Sequence, residues 1–357
     1  MVAKKRIAIA ISDLRVGGSS QVVFDLVRNL DKDKYDIYLL VFFDEFPTRY
    51  AQLQKEKGVH LIFLGKKRTL DLPFLRRLKK TIKTIKPDVI HCHLSAVFYV
   101  LLATKWKSHR ILYTIHAEPV LDIPSLYQFF VKHHARRGHI RLVGCCDYIA
   151  GKARELYGTS CAAIQNGIEL PTRLPKEGSD RPFDFVSVGR FVSAKRFDDL
   201  IRAFAKVKAI IPEARLALCG YGEMRDEILA LIEELSLESS VTVFDEKQDV
   251  SFVYDQSKIF CLFSDREGCP ITLLEARSRG LACIATDVGG CSGLILDGTN
   301  GKLVRPRDID GQAETMTALL QNPAKLEKFQ AASLKLSRET TAQKMTERYQ
   351  NLYEGKD

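Results

Sequence analysis

The stretch Asp265-Arg-Glu-Gly-Cys-Pro-Ile-Thr-Leu-Leu-Glu-Ala-Arg-Ser-Arg-Gly-Leu-Ala-Cys-Ile-Ala-Thr-Asp-Val-Gly-Gly290 reads loop, helix, strand, loop. Glu267 lies in a loop that contains Gly and Pro, and Glu275 follows eight residues on. A helix starting near Pro270 puts Glu275 in its second turn and leaves Glu267 off its N-terminal end. Pro is tolerated in a first helical turn because its missing N–H would have no partner there. The free N–H groups of such an end favour anions and oxygen acceptors. Two carboxylates around it suit a ligand rich in hydroxyls and phosphates. The plainer alternative is that one glutamate caps the helix and the other is solvated. Leu281–Ala285 is the short apolar run of a buried strand, closed by a Gly-Gly turn.

The same alternation extends outward. Strand-like runs fall at 183–188, 215–219, 241–244 and 259–263, with helical periodicity over 197–211 and 224–235. In the first half, apolar runs at 7–11, 35–43, 59–64, 87–93, 110–116 and 142–146 alternate with helical patterns at 21–30, 72–85, 96–106 and 148–157. Strands separated by helices make βαβ units and parallel sheets, so the expected class is α/β. A length of 357 residues fits two domains. The Pro-, Gly- and charge-rich segment 166–182 reads as a linker between a domain at 1–165 and one at 183–340. Residues 308–354 read as two or three helices, the last near 341–357.

No apolar run approaches the ~18–20 residues that span a bilayer. Ile7–Ile11 is followed by Ser12-Asp-Leu-Arg15 and reads as a first buried strand, not a signal peptide. The nine cysteines lack a CxxC pair and sit largely in apolar runs, which points to buried thiols in a reducing cytosol. His91-Cys-His93 offers only two ligands on one strand face and no nearby Cys/His cluster, so zinc is not expected. The net charge of +10 is uneven: residues 1–170 hold 28 Lys/Arg against 15 Asp/Glu, and residues 171–357 hold 26 against 29. The helix 72–85 places Leu75, Leu78, Ile82 and Ile85 on one face with cations on the others. With Lys66-Lys-Arg68 and the run Lys132–Arg141 it makes the first half a candidate for anionic lipid headgroups. A peripheral location at the inner face of the plasma membrane follows as an expectation. The cations are spread over several segments without a nucleic-acid-binding signature, so nucleic acid is not expected as a partner.

Arg190 and Lys195 project from the loop between a strand and the helix at 197, where open α/β sheets bind ligands. Two such cations suit a pyrophosphate, or are solvated loop charges. Gly17-Gly18 occupies the first strand-to-helix loop, where glycine lets backbone approach a phosphate or simply makes a turn. It is neither GxGxxG nor a P-loop. His116 ends a strand, as does His93 one strand earlier; either packs or hydrogen-bonds a substrate hydroxyl, and Glu118 is a lesser candidate.

Taken in order, Gly17-Gly18, Pro87-Asp-Val-Ile-His-Cys-His93, Thr114-Ile-His116, Asn166-Gly-Ile168, Val188-Gly-Arg190 to Lys195, Leu218-Cys-Gly-Tyr-Gly222, Glu267-Gly-Cys-Pro270 with Glu275-Ala276, Thr286-Asp-Val-Gly-Gly290 and Asp297-Gly-Thr-Asn-Gly301 resemble family 4 of the nucleotide-sugar-dependent glycosyltransferases. The resemblance runs through nearly the whole chain. It implies a GT-B fold of two Rossmann-like domains facing across a cleft, and retaining transfer of a hexosyl group to a cell-surface polysaccharide or lipid-linked glycan. By resemblance, Arg190 and Lys195 hold the donor diphosphate, with Gly17 and Gly18 approaching from the first domain. Glu275 binds the ribose, and Glu267 with the backbone at Cys269 and Ile271 contacts the sugar. His116 touches it from the acceptor side. The resemblance also implies that the final helix returns to the first domain and that no metal or other cofactor is required. Asp245 and Arg196 replace glycines frequent in the family, and Arg277 replaces a small residue; the first leaves base recognition near 244–249 open. A non-catalytic partner on the same fold, an epimerase or a phosphorylase are the alternatives.

Overall fold

The computed structural model describes residues 4–15, 17–43, 49–68, 71–105, 109–174, 181–245 and 249–356. The chain divides into two compact units: Met1–Glu169 with Ala342–Asp357, and Leu170–Thr341.

In the first unit, strands β1 (Lys5–Ile11), β2 (Tyr35–Val41), β3 (Val59–Phe63), β4 (Val89–His93), β5 (Arg110–Ile115), β6 (Arg141–Gly144) and β7 (Cys161–Ala163) form one sheet in the order β3-β2-β1-β4-β5-β6-β7. Each pair of neighbours is parallel. Burial on both faces explains why β1 reads as a continuous apolar run from Ile7 without alternation and why β4 is buried at every position. The helices are α1 (Gly18–Asn29), α2 (Leu72–Ile85), α3 (Ala96–Ala103), α4 (Pro119–Asp122), α5 (Ser125–Arg136) and α6 (Asp147–Tyr157). Asp71 caps α2 by accepting from the N–H of Phe74 at 2.8 Å, and Lys86 ends it in a left-handed turn. The buried stripe of α2 is Phe74, Leu78, Ile82 and Ile85; Leu75, expected on it, is only half-buried. Helix α3 stops earlier than its apolar run, because Thr104 turns extended; Trp106, the expected end, lies outside the described residues. Helices α4 and α5 have no counterpart in the periodicity. Pro119 and Pro124 interrupt the pattern, and the outer face of α5 carries Leu126 and Phe129 instead of polar residues.

In the second unit, β8 (Phe183–Arg190), β9 (Leu216–Tyr221), β10 (Val241–Phe244), β11 (Ser257–Leu262), β12 (Ala282–Thr286) and β13 (Gly301–Val304) pair in the parallel order β10-β9-β8-β11-β12-β13. Helices α7 (Phe197–Ile210), α8 (Arg225–Glu234), α9 (Val250–Asp255), α10 (Ile271–Ser278), α11 (Ile309–Leu320) and α12 (Pro323–Ser337) surround the sheet. Its core centres on Phe185, Phe191, Phe197 and Phe204, with Phe191 edge-on to Phe197 at 4.8 Å between centroids. In both sheets the order reverses once, between β1 and β4 and between β8 and β11. Such reversal points open a crevice beyond the carboxyl ends of the strands.

Helix α13 (Ala342–Glu354) belongs to the first unit. The Tyr353 hydroxyl meets Nδ1 of His91 at 2.7 Å, Nε2 of His91 meets Oγ1 of Thr114 at 2.7 Å, and that oxygen meets the Tyr349 hydroxyl at 3.0 Å. Both ring nitrogens of His91 are therefore committed to packing partners. Arg110 Nη1 donates to the Tyr353 carbonyl at 2.9 Å, and Lys5 pairs with Glu354 at 2.7 Å. Asn166–Ile168, expected in the linker, is instead pinned inside this unit. Asn166 N–H donates to the Cys145 carbonyl at 3.0 Å, and the Ile168 carbonyl accepts from Ala342 N–H at 2.8 Å. Residues 175–180 of the expected linker lie outside the described residues. Among the described residues no helix is long and apolar enough to cross a membrane.

Tyr353 is fully buried. Replacing Tyr353 with Ala should cost about 3–5 kcal/mol, as for other buried aromatic truncations. Tyr353→Phe should cost roughly 1–3 kcal/mol, because it strands one buried His91 nitrogen. Urea denaturation measures both, and wild-type stability in Tyr353→Phe would contradict the role of the hydroxyl.

Candidate active site

At the second reversal point three loops are laced together. The loop after β8 accepts at the Ala194 carbonyl from Asp265 N–H, 2.9 Å, in the loop after β11. The loop after β12 donates from Gly290 N–H to the Gly268 carbonyl at 2.9 Å. Gly289 has φ +56°, and a Cβ there would sit 1.7 Å from the Glu267 carbonyl oxygen, so this approach requires glycine. Gly220 plays the same part at the end of β9, where a Cβ would lie 1.9 Å from the Gly189 carbonyl oxygen.

This lacing sets Lys195 Nζ 2.6 Å from Oε1 of Glu267, an oxygen that also accepts from Ser264 Oγ at 2.6 Å. The Glu267 side chain is only 7% exposed. Its second oxygen has no partner among the described residues. Glu267 is thus no helix cap: it is a withdrawn carboxylate with one oxygen neutralised and one open. Arg190, the last residue of β8, is exposed, and its guanidinium has no hydrogen-bond partner among the described residues.

Pro270 is the N-cap residue of α10, one position before the expected first turn, and no side chain caps this end. The N–H groups of Ile271, Thr272 and Leu273 are left without acceptors among the described residues. The side chains of Cys269 and Ile271 are buried, so these positions offer backbone to a ligand. Glu275 is half-buried one turn further along and accepts from the Tyr254 hydroxyl of α9 at 3.2 Å. Burial and this carboxylate raise the Tyr254 phenol well above its ordinary pKa.

One of the three departures from the family pattern, Arg196, has a local explanation. Arg196 takes φ 49°, a left-handed conformation that favours glycine. Its guanidinium is held by both carboxylate oxygens of Asp199, at 3.1 and 2.6 Å, and by Asp198 at 2.9 Å. Arg277 is buried and its Nε lacks a partner; nothing in the structure explains the choice of arginine. Asp245 is exposed, and residues 246–248 lie outside the described residues. Asp297-Gly-Thr-Asn-Gly301 is a folding turn: Asp297 accepts from Leu303 N–H at 2.9 Å and Asn300 from Leu296 N–H at 2.8 Å.

In the first unit Gly17 and Gly18 open α1, and both are exposed. A Cβ on Gly17 would meet nothing closer than Arg15 O at 4.0 Å, so packing does not demand this glycine. The hydroxyls of Ser12 and Ser95 meet at 2.8 Å across the β1/β4 reversal, a pair the motifs do not signal. His116 follows β5, and its Nε2 lies 2.8 Å from Nδ1 of His93. Nε2 of His93 is enclosed without a partner. Buried orphan N–H groups are rarer than under-satisfied acceptors. That places the His93 proton on Nδ1, donating to His116, and leaves the His116 proton on Nδ1. Burial lowers the pKa of His116 to about 4 and that of His93 well below its ordinary value, so both rings are neutral. Asp122 anchors this corner. Its Oδ1 accepts from the N–H groups of His116 at 2.9 Å and Ala117 at 3.0 Å, while the Tyr113 hydroxyl donates to Oδ2. No motif marks Asp122, Ser264 or Tyr254, because each is a common residue type without a local signature. Glu118 accepts from the Tyr148 hydroxyl at 2.7 Å.

Two doubly wound parallel units, one with cations and a withdrawn carboxylate at its reversal point, define a glycosyltransferase of GT-B fold. Family models match most of the chain, Glycosyltransferase Family 4 over residues 16–171 and Glycosyl transferases group 1 over residues 172–335. The chain belongs to this family of glycosyltransferases. It is 26% identical over 319 residues to the lipopolysaccharide 1,6-galactosyltransferase of Salmonella typhimurium, covering 82% of this chain and 83% of that one. It is 32% identical over 139 residues to an uncharacterized glycosyltransferase of Haemophilus influenzae, spanning only 39% of that relative's length. The crystal structure of Anabaena Alr3699/HepE in complex with UDP and glucose superimposes with a TM-score of 0.85 at 15% identity, covering 98% of this chain and 100% of that one, a likeness of fold.

Acid should destabilise the chain. His91, His116 and His134 have folded pKa values of about 3, 4 and 4, all lowered from 6.5, chiefly by burial. Between about pH 4 and 6.5 the unfolded chain binds protons that these rings do not, so stability is lost as pH falls. Asp122 opposes this, because burial raises its pKa to about 6 and the folded form keeps its proton longer. The melting temperature should fall from pH 6.5 to 4, and more steeply in Asp122→Asn. A flat profile would refute the assignment.

Proposed function

We propose that the protein is a retaining glycosyltransferase that moves a hexosyl group from a nucleoside diphosphate sugar to a glycan or lipid-linked glycan in cell-surface polysaccharide or glycolipid synthesis. The observation that carries this reading is the grouping of Lys195, Glu267 and the Arg190 guanidinium, unpaired among the described residues, at the second unit's reversal point. Arg190 and Lys195 take the diphosphate, and the open N–H groups of α10 favour the same charge. Glu275 accepts from the ribose hydroxyls. The free oxygen of Glu267 accepts from a sugar hydroxyl, and the backbone at Cys269 and Ile271 supplies donors. From the first unit, Gly17 and Gly18 present backbone to the phosphates, and Nδ1–H of His116 donates to a sugar oxygen.

In the proposed reaction the acceptor oxygen attacks the anomeric carbon from the face the diphosphate leaves. The bond from that carbon to the phosphate oxygen breaks, and the departing phosphate takes the acceptor's proton. Positive charge on Arg190, Lys195 and the helix end stabilises the leaving group without a required metal ion. Binding of the right nucleoside diphosphate at 100 times its Kd should stabilise the protein by about 2.7 kcal/mol. In a thermal-shift screen one nucleotide should raise the melting temperature, and Arg190→Ala or Glu275→Gln should remove most of that rise. No response to any nucleoside diphosphate would overturn the reading.

The proposed location is the inner face of the plasma membrane. Val120, Leu121, Leu126 and Phe129 on α4 and α5 are 54, 52, 73 and 76% exposed. Lys132 and Arg137 follow them closely in sequence, and each cation near an anionic surface contributes about 1 kcal/mol. Wild-type protein should sediment with anionic vesicles more than with neutral ones, and Leu126→Ser with Phe129→Ser should reduce this several-fold. Equal, salt-insensitive partitioning onto both vesicle types would count against it.

A further inference from the structure

Lys66 follows the end of β3, on the carboxyl edge of the first unit's sheet. The residue is 8% exposed, yet its ammonium has neither a hydrogen-bond acceptor nor an ion-pair partner among the described residues. Nζ lies 4.8 Å from the Phe43 ring centroid and 4.9 Å from that of Tyr99.

The loop is built to hold the lysine in this position. Lys66 N–H donates to the Phe42 carbonyl at 2.7 Å. Arg77 clamps the preceding turn, donating from Nε to the Leu64 carbonyl and from Nη2 to the Gly65 carbonyl, each at 2.8 Å. Asp71 is the carboxylate whose charge acts on Lys66, but its oxygens are spent on the N–H groups of Lys67 at 2.9 Å and Phe74 at 2.8 Å. Burial lowers the Lys66 pKa and Asp71 only opposes this. Two ring faces return part of the hydration that the ammonium loses. Its three donors have no acceptor among the described residues. The edge is also the ligand side of the sheet: Phe43 N–H donates to the Ser12 carbonyl at 3.0 Å, beside the Ser12–Ser95 pair.

We propose that Lys66 is an oxyanion-binding site, its ammonium taking a phosphate or carboxylate of the acceptor between the rings of Phe43 and Tyr99. A compact ammonium suits a cage of two rings and one anionic oxygen, where a planar guanidinium would need a wider fork. The proposal rests on the reading of the first unit as the acceptor side.

Limiting acetylation of the full-length protein with N-hydroxysuccinimidyl acetate, followed by peptide mass spectrometry, reads Lys66 directly, with exposed Lys67 as an internal reference. Inorganic phosphate or succinate at millimolar concentration should slow acetylation of Lys66 at least threefold relative to chloride of equal ionic strength, leaving Lys67 unchanged. Protection by phosphate alone identifies a phosphorylated acceptor, and protection by succinate alone an acidic sugar. Lys66→Met should keep or raise the melting temperature, since it removes a buried cation that has no counter-charge among the described residues. Equal Lys66 acetylation in all three salts overturns the proposal. A lowered melting temperature in Lys66→Met without anion protection also overturns it and makes the ammonium a purely structural cation–π contact. Nucleotide binding by the second unit is measured separately, so either result is distinguishable from failure of the transferase reading.

Discussion

The site of the second unit depends on one ion pair. Glu267 is nearly withdrawn from water, and a carboxylate so placed is costly unless a cation and hydrogen bonds meet it. Lys195 and Ser264 supply these on a single oxygen. The pair ties the loop after β8 to the loop after β11, the two strands that flank the reversal of order. It also explains why the Thr286-Asp-Val-Gly-Gly turn packs where it does. Gly289 lies against the Glu267 backbone, closer than any side chain permits. The pair therefore couples architecture to chemistry: the geometry that closes the sheet's edge also aims a cation and an open carboxylate oxygen at the crevice.

The first unit solves a different problem. Its strands carry three histidines on or just beyond the central sheet, His91, His93 and His116. Burial keeps them neutral, and the C-terminal helix seals one side through Tyr349 and Tyr353. The outer ring, His116, retains a single free N–H. The arrangement turns residues with ordinary acid–base potential into fixed neutral hydrogen-bonding groups, at the expense of acid stability.

Much of the fold was readable because parallel strands buried on both faces leave unbroken apolar runs, and because amphipathic helices such as α2 and α7 carry a clear period. Where two periodicities conflict the reading failed. Helices α4 and α5 carry apolar residues on an exposed face, and α9 is only six residues long. Asn166–Ile168 reads as linker by composition, yet its backbone is held by Cys145 and Ala342. The loop positions of Arg190, Lys195, Glu267 and Glu275 followed from spacing alone. Their partners did not: Ser264, Tyr254 and Asp122 are common residue types without a local signature.

By itself the sequence determined the two α/β units, the loops that face the ligand edge and the family to which the chain belongs, because these depend on local period and on motifs read in order. Tertiary structure decided which oxygen of Glu267 is neutralised, that Glu275 leans on Tyr254, that His116 bears its proton on Nδ1, and that Lys66 is buried without a counter-ion among the described residues. Each of these is a property of a pair or a cavity, set by atoms tens to hundreds of residues apart, and no periodicity along the chain encodes it. Asp265–Gly290 shows the division: its order of loop, helix and strand is local, whereas the charge balance that makes it a site comes from Lys195 in another loop.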